Sequence, residues 1–344
     1  MALMDSSERE PQVNLKTHGL FLGKFAPFHI GHEFMINEAL KTVEKLTVLI
    51  YDAPSLGVVP LTQRADWIRA FDSKIEVIEC NDGPTEVTYE ISGMQEHEEY
   101  VLKKLGDRKI THFFSSEPYG EHMSAALGAR DMRIDQKRKS ISISATKIRE
   151  DFYTYRHFLS PSVYFDHLTK VVLLGAPSTG KSTLVENLAD HFKTTHMPEF
   201  GREYWEANNL QRRLTLEQLL EIATMHREKE LIAAHEARQY FFIDTNALTT
   251  EIFANYYHGE SLPQLRELSD QTKDRYDIVI LCGDEIPYDD TEDRSGEENR
   301  SVFQKATINE LHKRGIKYHE VSGSIQQRIS EVSRILEIMT KGQA

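Results

Sequence analysis

Val171 to Leu184 reads VVLLGAPSTGKSTL, and no other part of the chain narrows its fold so far. A short apolar run enters a glycine loop of the pattern GxxxxGK(S/T), and a helix-forming stretch follows. This is the phosphate-cradling P-loop, which needs a parallel strand before it and a helix N-terminus after it. Here it stands near the middle of 344 residues, so about half the protein precedes it and needs its own account. That length suits two domains. The formal net charge of −13 argues against a protein that grips long nucleic acid, which calls for a basic face. It leaves small phosphorylated ligands open, because local loops and a few cations bind them.

The first half holds a second phosphate-type loop. Val13 to Leu22 leads to Gly23-Lys24-Phe25 and then to His29-Ile30-Gly31-His32. The pattern predicts a strand, a loop carrying HxGH, and a helix beginning near His32. Further strands are expected at Lys45–Tyr51, Ile75–Glu79 and Ile110–Ser115. Helices are expected at Thr62–Ala70, capped by Thr62, and at Tyr89–Leu105. Alternating strands and helices imply a doubly wound parallel sheet with its ligand beyond the strands' carboxyl ends. Two imidazoles, a lysine and helix-start donors can stabilise charge growing on an α-phosphate as pyrophosphate leaves. Gly31 lets backbone approach phosphate. Downstream, Ile143-Ser144-Ala145-Thr146-Lys147-Ile148-Arg149 puts hydroxyls at a helix start beside cations, which is an anion site or a plain N-cap. The basic run Arg130 to Lys139 reads as a solvated loop.

Asp151 to Thr169 lacks sustained periodicity, and a domain boundary is expected near 165. This gives an N-terminal arm over 1–14, a first domain over 15–165 and a second over 166–344. In the second, backbone N–H groups of Gly175, Ser178, Thr179, Gly180 and Thr183 wrap ATP phosphates. Lys181 reaches the β- and γ-phosphates, and Ser182 ligates Mg2+. Met197 to Tyr204 stands in the position of a second strand and its loop, and Leu216 to Arg238 is an amphipathic helix. Tyr240-Phe241-Phe242-Ile243-Asp244 is a strand ending in an acid, to be read as a metal ligand or base, or as a helix cap. Ile278–Cys282 and Tyr318–Val321 are strands, and Ser324–Met339 is a closing helix. Asp284 to Arg300 is too polar for a core. Within it, Arg294 and Arg300 are candidates to close over ATP phosphates, or else solvated charges.

HxGH followed by ISxTxxR resembles the HxGH nucleotidyltransferase superfamily, with Ser144, Thr146 and Arg149 on the second signature. Followed by a P-loop, by EFGREY over 199–204 and by DTNALTT from Asp244, the chain resembles one family more closely. That family is the bifunctional nicotinamide-nucleotide adenylyltransferase and ribosylnicotinamide kinase family (NadR-like), and the resemblance spans about residues 15–340. It implies two α/β domains, an HxGH nucleotidyltransferase domain and then a P-loop kinase. The partners it implies are ATP, nicotinamide riboside, nicotinamide mononucleotide and NAD. His29, His32, Lys24 and Arg149 would be catalytic in the first domain, with Gly23 and Phe25 at ATP. Lys181 and Asp244 would be catalytic in the second, with Ser182 and Asp244 at Mg2+. Substrate contacts fall to Glu199, Arg202, Tyr204, Asn246 and Tyr119. Tyr204 or Trp205 could stack on a pyridinium ring or pack in the core. Asn246 stands where the resemblance leads one to expect an acid. Some members carry an N-terminal helix-turn-helix, and the short stretch before the first strand leads us to expect no DNA binding. A phosphopantetheine adenylyltransferase fused to a dephospho-coenzyme A kinase would share both motifs, and a nucleotide-sensing regulator would keep them without turnover.

No apolar run approaches the roughly 20 residues that span a bilayer. Cys80 and Cys282 are far apart and read as reduced thiols of a cytoplasmic protein. Self-association is compatible with the chain.

Overall fold

The computed structural model describes residues 16–56, 59–84, 90–116, 120–137, 139–208, 214–287 and 297–341. The expected arm over 1–14, Tyr119 and Arg294 lie outside them. The chain divides into two compact units, Met1–Val163 and Tyr164–Ala344.

The first unit runs β1 (His18–Gly23), α1 (Ile30–Leu40), β2 (Lys45–Tyr51), α2 (Leu61–Phe71), β3 (Ile75–Cys80), α3 (Ile91–Leu105), β4 (His112–Ser115), α4 (Gly120–Leu127), β5 (Arg130–Arg133) and α5 (Ala145–Glu150). Its parallel sheet has the order β3-β2-β1-β4-β5. β1 pairs with β2 over His18 to Gly23 and with β4 over Gly19 to Phe21. Leu20, Leu22, Leu49, Val101 and Phe113 are buried together in one core. β1 and β2 read as continuous apolar runs because both faces of such a sheet are covered.

The division falls inside α6 (Pro161–Asp166). The second unit then runs β6 (Thr169–Leu174), α7 (Lys181–Phe192), β7 (His196–Met197), α8 (Phe200–Asn208), α9 (Leu216–Ala234), β8 (Tyr240–Asp244), α10 (Ala247–His258), α11 (Pro263–Asp270), α12 (Thr272–Arg275), β9 (Ile278–Cys282), α13 (Glu297–Arg314), β10 (His319–Val321) and α14 (Ile325–Lys341). Its sheet, again parallel, has the order β10-β9-β6-β8-β7. Val171, Leu173, Leu184, Phe242, Ile280 and Val332 lie at the centre of its core.

Three stretches differ from expectation. Arg130 to Arg133 is not a solvated loop but the edge strand β5, in register with β4 from His112 to Ser115. Its charges are tolerated because Arg133 pairs with Asp131 at 2.8 Å at the sheet's edge. After Met197 the chain does not extend as strand and loop; it turns at once into α8. Between β8 and β9, which the sequence reading leaves unassigned, lie α10, α11 and α12. Two boundaries also move. α1 starts at Ile30, capped by His29, and α2 starts at Leu61 after Pro60, so Thr62 is not its cap.

Candidate active sites

In the first unit the loop from β1 to α1 is built around its two histidines. His29 is the N-cap of α1, in extended backbone, and its Nδ1 accepts the Gly31 N–H at 3.1 Å. His32 Nδ1 reaches back and accepts the His29 N–H at 3.3 Å. The two side chains thus form a reciprocal capping box, a role usually filled by Ser or Thr with Glu. A neutral imidazole whose Nδ1 accepts must carry its proton on Nε2, so both rings present an Nε2–H donor. The rings stack with centroids 3.8 Å apart, and the Phe25 edge meets His32 at 4.9 Å. Gly31 is required for this stacking as much as for any phosphate. A Cβ there would lie 2.8 Å from the His29 ring.

These rings line a cavity of about 480 Å3 at the carboxyl end of the sheet. Gly23, Lys24, Phe25, Gly31, Ser144, Thr146 and Arg149 line it with them. Every residue nominated from the HxGH and ISxTxxR signatures therefore meets in one place. Ser144 caps α5 by accepting the Lys147 N–H at 3.2 Å. Arg149 donates to the Ala26 carbonyl and, at 3.1 Å, to the Thr146 hydroxyl, which ties the two signatures together.

The cavity also holds residues that the motifs do not name. Tyr51 and His97 line it and share a 2.7 Å hydrogen bond. Burial lowers the His97 pKa, favouring the neutral ring. Asp135 has a positive φ of 45° and accepts from Lys139, Ser140 and Ile141 N–H groups, turning the chain from β5 toward the ISxT segment. Arg64 on α2 is 1% exposed and donates to the carbonyls of Val59, Lys24 and Tyr51 and to Asp52. It fastens the ends of β1 and β2 beneath the cavity. Nothing in the sequence distinguishes Arg64 from a solvent-facing helix arginine.

In the second unit the sites at the ends of β6 and β8 face each other across the point where strand order reverses. Gly175 takes φ 141°, where a Cβ would also strike the Cys282 carbonyl at 2.9 Å. Gly180 caps α7 in the left-handed region, and Ser178 shares that region at φ 60°. Lys181 Nζ and Thr179 Oγ1 both donate to the Ala176 carbonyl, at 2.9 and 2.8 Å. Ser182 and Thr183 begin α7 on its exposed side.

Asp244 is fully buried, and among the described residues neither of its carboxylate oxygens has a hydrogen-bond partner. Burial, and then the nearby Glu199 carboxylate, raise its pKa to about 6 against the pull of Lys181, Ser182 and His226. The cap reading of this acid is excluded. Asn246 caps α10, its Oδ1 accepting the Leu248 N–H at 3.0 Å, and Thr245 bridges the two at φ 64°. Asp244 thus lies near Lys181, the Ser182 hydroxyl and His226 with both oxygens open, a state that costs stability unless a cation or proton occupies it.

Three further nominated residues lie on α8 and α13. Tyr204 is buried edge-on against Phe200, and its hydroxyl donates to Glu221 at 2.7 Å, so its ring packs α8 on α9. Arg202 is exposed on α8. Arg300 does not overhang the loop as a solvated lid cation. It is buried on α13 and donates to the carbonyls of Ser178 and Ile286 at 2.8 and 2.7 Å.

Two family models match separate stretches of the chain. Residues 20–151 match the cytidylyltransferase-like family model, and residues 170–328 match the AAA domain model. The trifunctional NAD biosynthesis/regulator protein NadR of Escherichia coli (strain K12) is 27% identical over 327 residues, covering 89% of this chain and 79% of that protein. The chain is thus similar to NadR over most of its length. The NadR of Salmonella typhimurium is 26% identical with the same coverage. A crystal structure of NadR protein in complex with NAD and AMP-PNP superposes with a TM-score of 0.52 at 22% identity, covering 93% of this chain and 96% of that one. One of NadR protein in complex with NR gives 0.52 at 21%, covering 90% and 91%. At those identities the two structures show the shared fold. Among the described residues, no helix is long and apolar enough to cross a membrane.

Proposed function

We propose that this NadR-like chain makes NAD in two steps. The second unit phosphorylates nicotinamide riboside with ATP, giving the mononucleotide and ADP. The first unit joins that mononucleotide to the adenylyl group of a second ATP, giving NAD and pyrophosphate. The observation that carries the reading is the gathering of Lys24, His29, His32, Ser144, Thr146 and Arg149 around one cavity. The NAD biosynthesis named for the curated relatives, and the NR, NAD and AMP-PNP bound in the two solved structures, support the choice of substrate.

In the first unit a phosphate oxygen of the mononucleotide attacks the α-phosphorus of ATP, and the bond to pyrophosphate breaks. The Nε2–H groups of His29 and His32, with Lys24 and Arg149, are donors for the charge that collects on the phosphate oxygens. No group on the protein becomes covalently attached, and positioning with electrostatics suffices.

In the second unit Asp244 takes the proton of the ribose 5′-hydroxyl as the oxygen attacks the γ-phosphorus. Lys181 holds the β- and γ-phosphates. The open oxygens of Asp244 fit a cation, and Ser182 stands beside them. Ser182 and Asp244 would hold Mg2+, which when bound neutralises charge on the transferring phosphoryl group. Glu199, half-buried beside Asp244, is placed to accept ribose hydroxyls.

The test is a coupled assay with riboside and excess ATP, read by chromatography for mononucleotide and NAD. Both products are expected, and chelation of magnesium should stop the first step. A protein that yields neither product but adenylates 4′-phosphopantetheine would overturn the proposal.

A further inference from the structure

The P-loop is backed from behind by two buried arginines that no motif includes. Arg328 on α14 is 2% exposed and Arg300 on α13 is 7% exposed. Arg328 donates to the Thr179 carbonyl at 2.7 Å and Arg300 to the Ser178 carbonyl at 2.8 Å. Those carbonyls belong to the peptide units whose nitrogens are Gly180 N and Thr179 N. Among the described residues neither of those N–H groups donates to a backbone carbonyl. In a P-loop, backbone N–H groups of this kind cradle phosphate.

An ionised donor on a carbonyl makes a strong bond and polarises the whole peptide unit, so the N–H at its other end becomes a better donor. We propose that Arg328 and Arg300 are positioning residues that charge the phosphate cradle from behind, acting through the Thr179–Gly180 and Ser178–Thr179 peptide bonds. This rests on the second unit being an ATP-phosphate site and does not depend on what the phosphoryl group is passed to.

The surroundings fit this role better than general scaffolding. Arg328 also donates to the carbonyls of Gly323 and Gly283, at 3.1 and 3.2 Å, and pairs with Glu285 at 2.7 Å. Glu285 is 42% exposed at its side chain, so water screens it more than the guanidinium it pairs with. Gln304 performs the purely neutral part of the work. It accepts the Ala176 N–H at 2.8 Å and donates to the Cys282 carbonyl at 3.0 Å. Arg300 likewise donates to the Ile286 carbonyl at 2.7 Å, so each guanidinium is fixed by a neighbouring carbonyl while another of its N–H groups reaches the P-loop carbonyl.

The experiment compares Arg328→Lys with Arg328→Gln in the full chain. Both shorten the reach to the carbonyl, and only lysine keeps the charge. Amide hydrogen exchange over residues 175–184, titrated with ADP and magnesium, reads binding at this loop alone, whatever the first unit binds. Arg328→Gln should raise the half-saturating ADP concentration by about tenfold, and Arg328→Lys by no more than about threefold. Equal weakening by both variants, or weakening by neither, would overturn the proposal, as would an absence of protection by ADP in the wild type. If Arg328→Gln does not fold, Arg300→Lys and Arg300→Gln carry the same comparison. A wild type protected by ADP that forms no mononucleotide from riboside would sink the substrate reading and leave this one standing.

Discussion

Asp244 and Asn246 divide two tasks that a single strand-end acid often combines. Asn246 caps the helix, which leaves both Asp244 oxygens for chemistry. Asp244→Asn should therefore cut riboside phosphorylation by about 10²–10⁴-fold without unfolding the unit. Asn246→Ala should instead cost about 1 kcal/mol of stability through the lost cap. Parallel kinetics and thermal melts on the two variants check this division. At the other site, His32→Ala removes both a donor and half of a capping box. Adenylyl transfer should fall by about 10²–10³-fold in single-turnover measurements. The two thiols call for the opposite expectation. Cys80 and Cys282 are buried, and burial pushes the Cys282 thiol up to about 11. Neither should react with a thiol reagent at pH 7 until the protein is unfolded.

At the scale of elements, the strands inside the two sheets and the edge strands β3 and β10 were legible, and the edge strands β5 and β7 were not. KLTVLIY, VVLL, YFFID and IVILC are mostly apolar because neighbours cover both faces. β5 reads RDMR and β7 only HM, so neither presents a hydrophobic period to find. The motif residues could be named because glycine loops have fixed spacing. Their supports Arg64 and Arg328 could not, since both look in sequence like the exposed charges of amphipathic helices, and Arg300 was nominated to meet phosphate rather than to back the loop. The Asp135 turn hid for the same reason, in a run rich in charge. Paired charge also holds the outer strands. On β3, Glu76 bonds to Arg108 and Lys45, and these hold its pKa at about 2. A carboxylate lowered in the folded state contributes stability that is complete above its ordinary pKa and is lost as pH falls toward the folded value. Wild type should thus lose melting temperature between pH 4.5 and 2 more steeply than Glu76→Gln.

For the whole molecule, each unit has its own sheet, core and candidate site, so the two proposed activities should separate. Lys181→Ala should abolish riboside phosphorylation and leave adenylation of supplied mononucleotide near wild type, while His32→Ala does the reverse. Loss of both reactions from either substitution, in a protein with a wild-type melt, would mean that the sites are not independent. Strand order in the two sheets has a further consequence, in time rather than in space. In each unit the earliest strand in the chain becomes the middle of the sheet, flanked by partners made later. During synthesis β1 must wait for β2 and then for β4, and β6 must wait until both β8 and β9 exist. The P-loop, which directly follows β6, therefore takes its final form only after more than half of its unit has emerged. The arginines that back it come last of all, on α13 and α14. A ribosome stalled before α13 would hold a nascent chain that contains the whole P-loop sequence but lacks both of its buried cations.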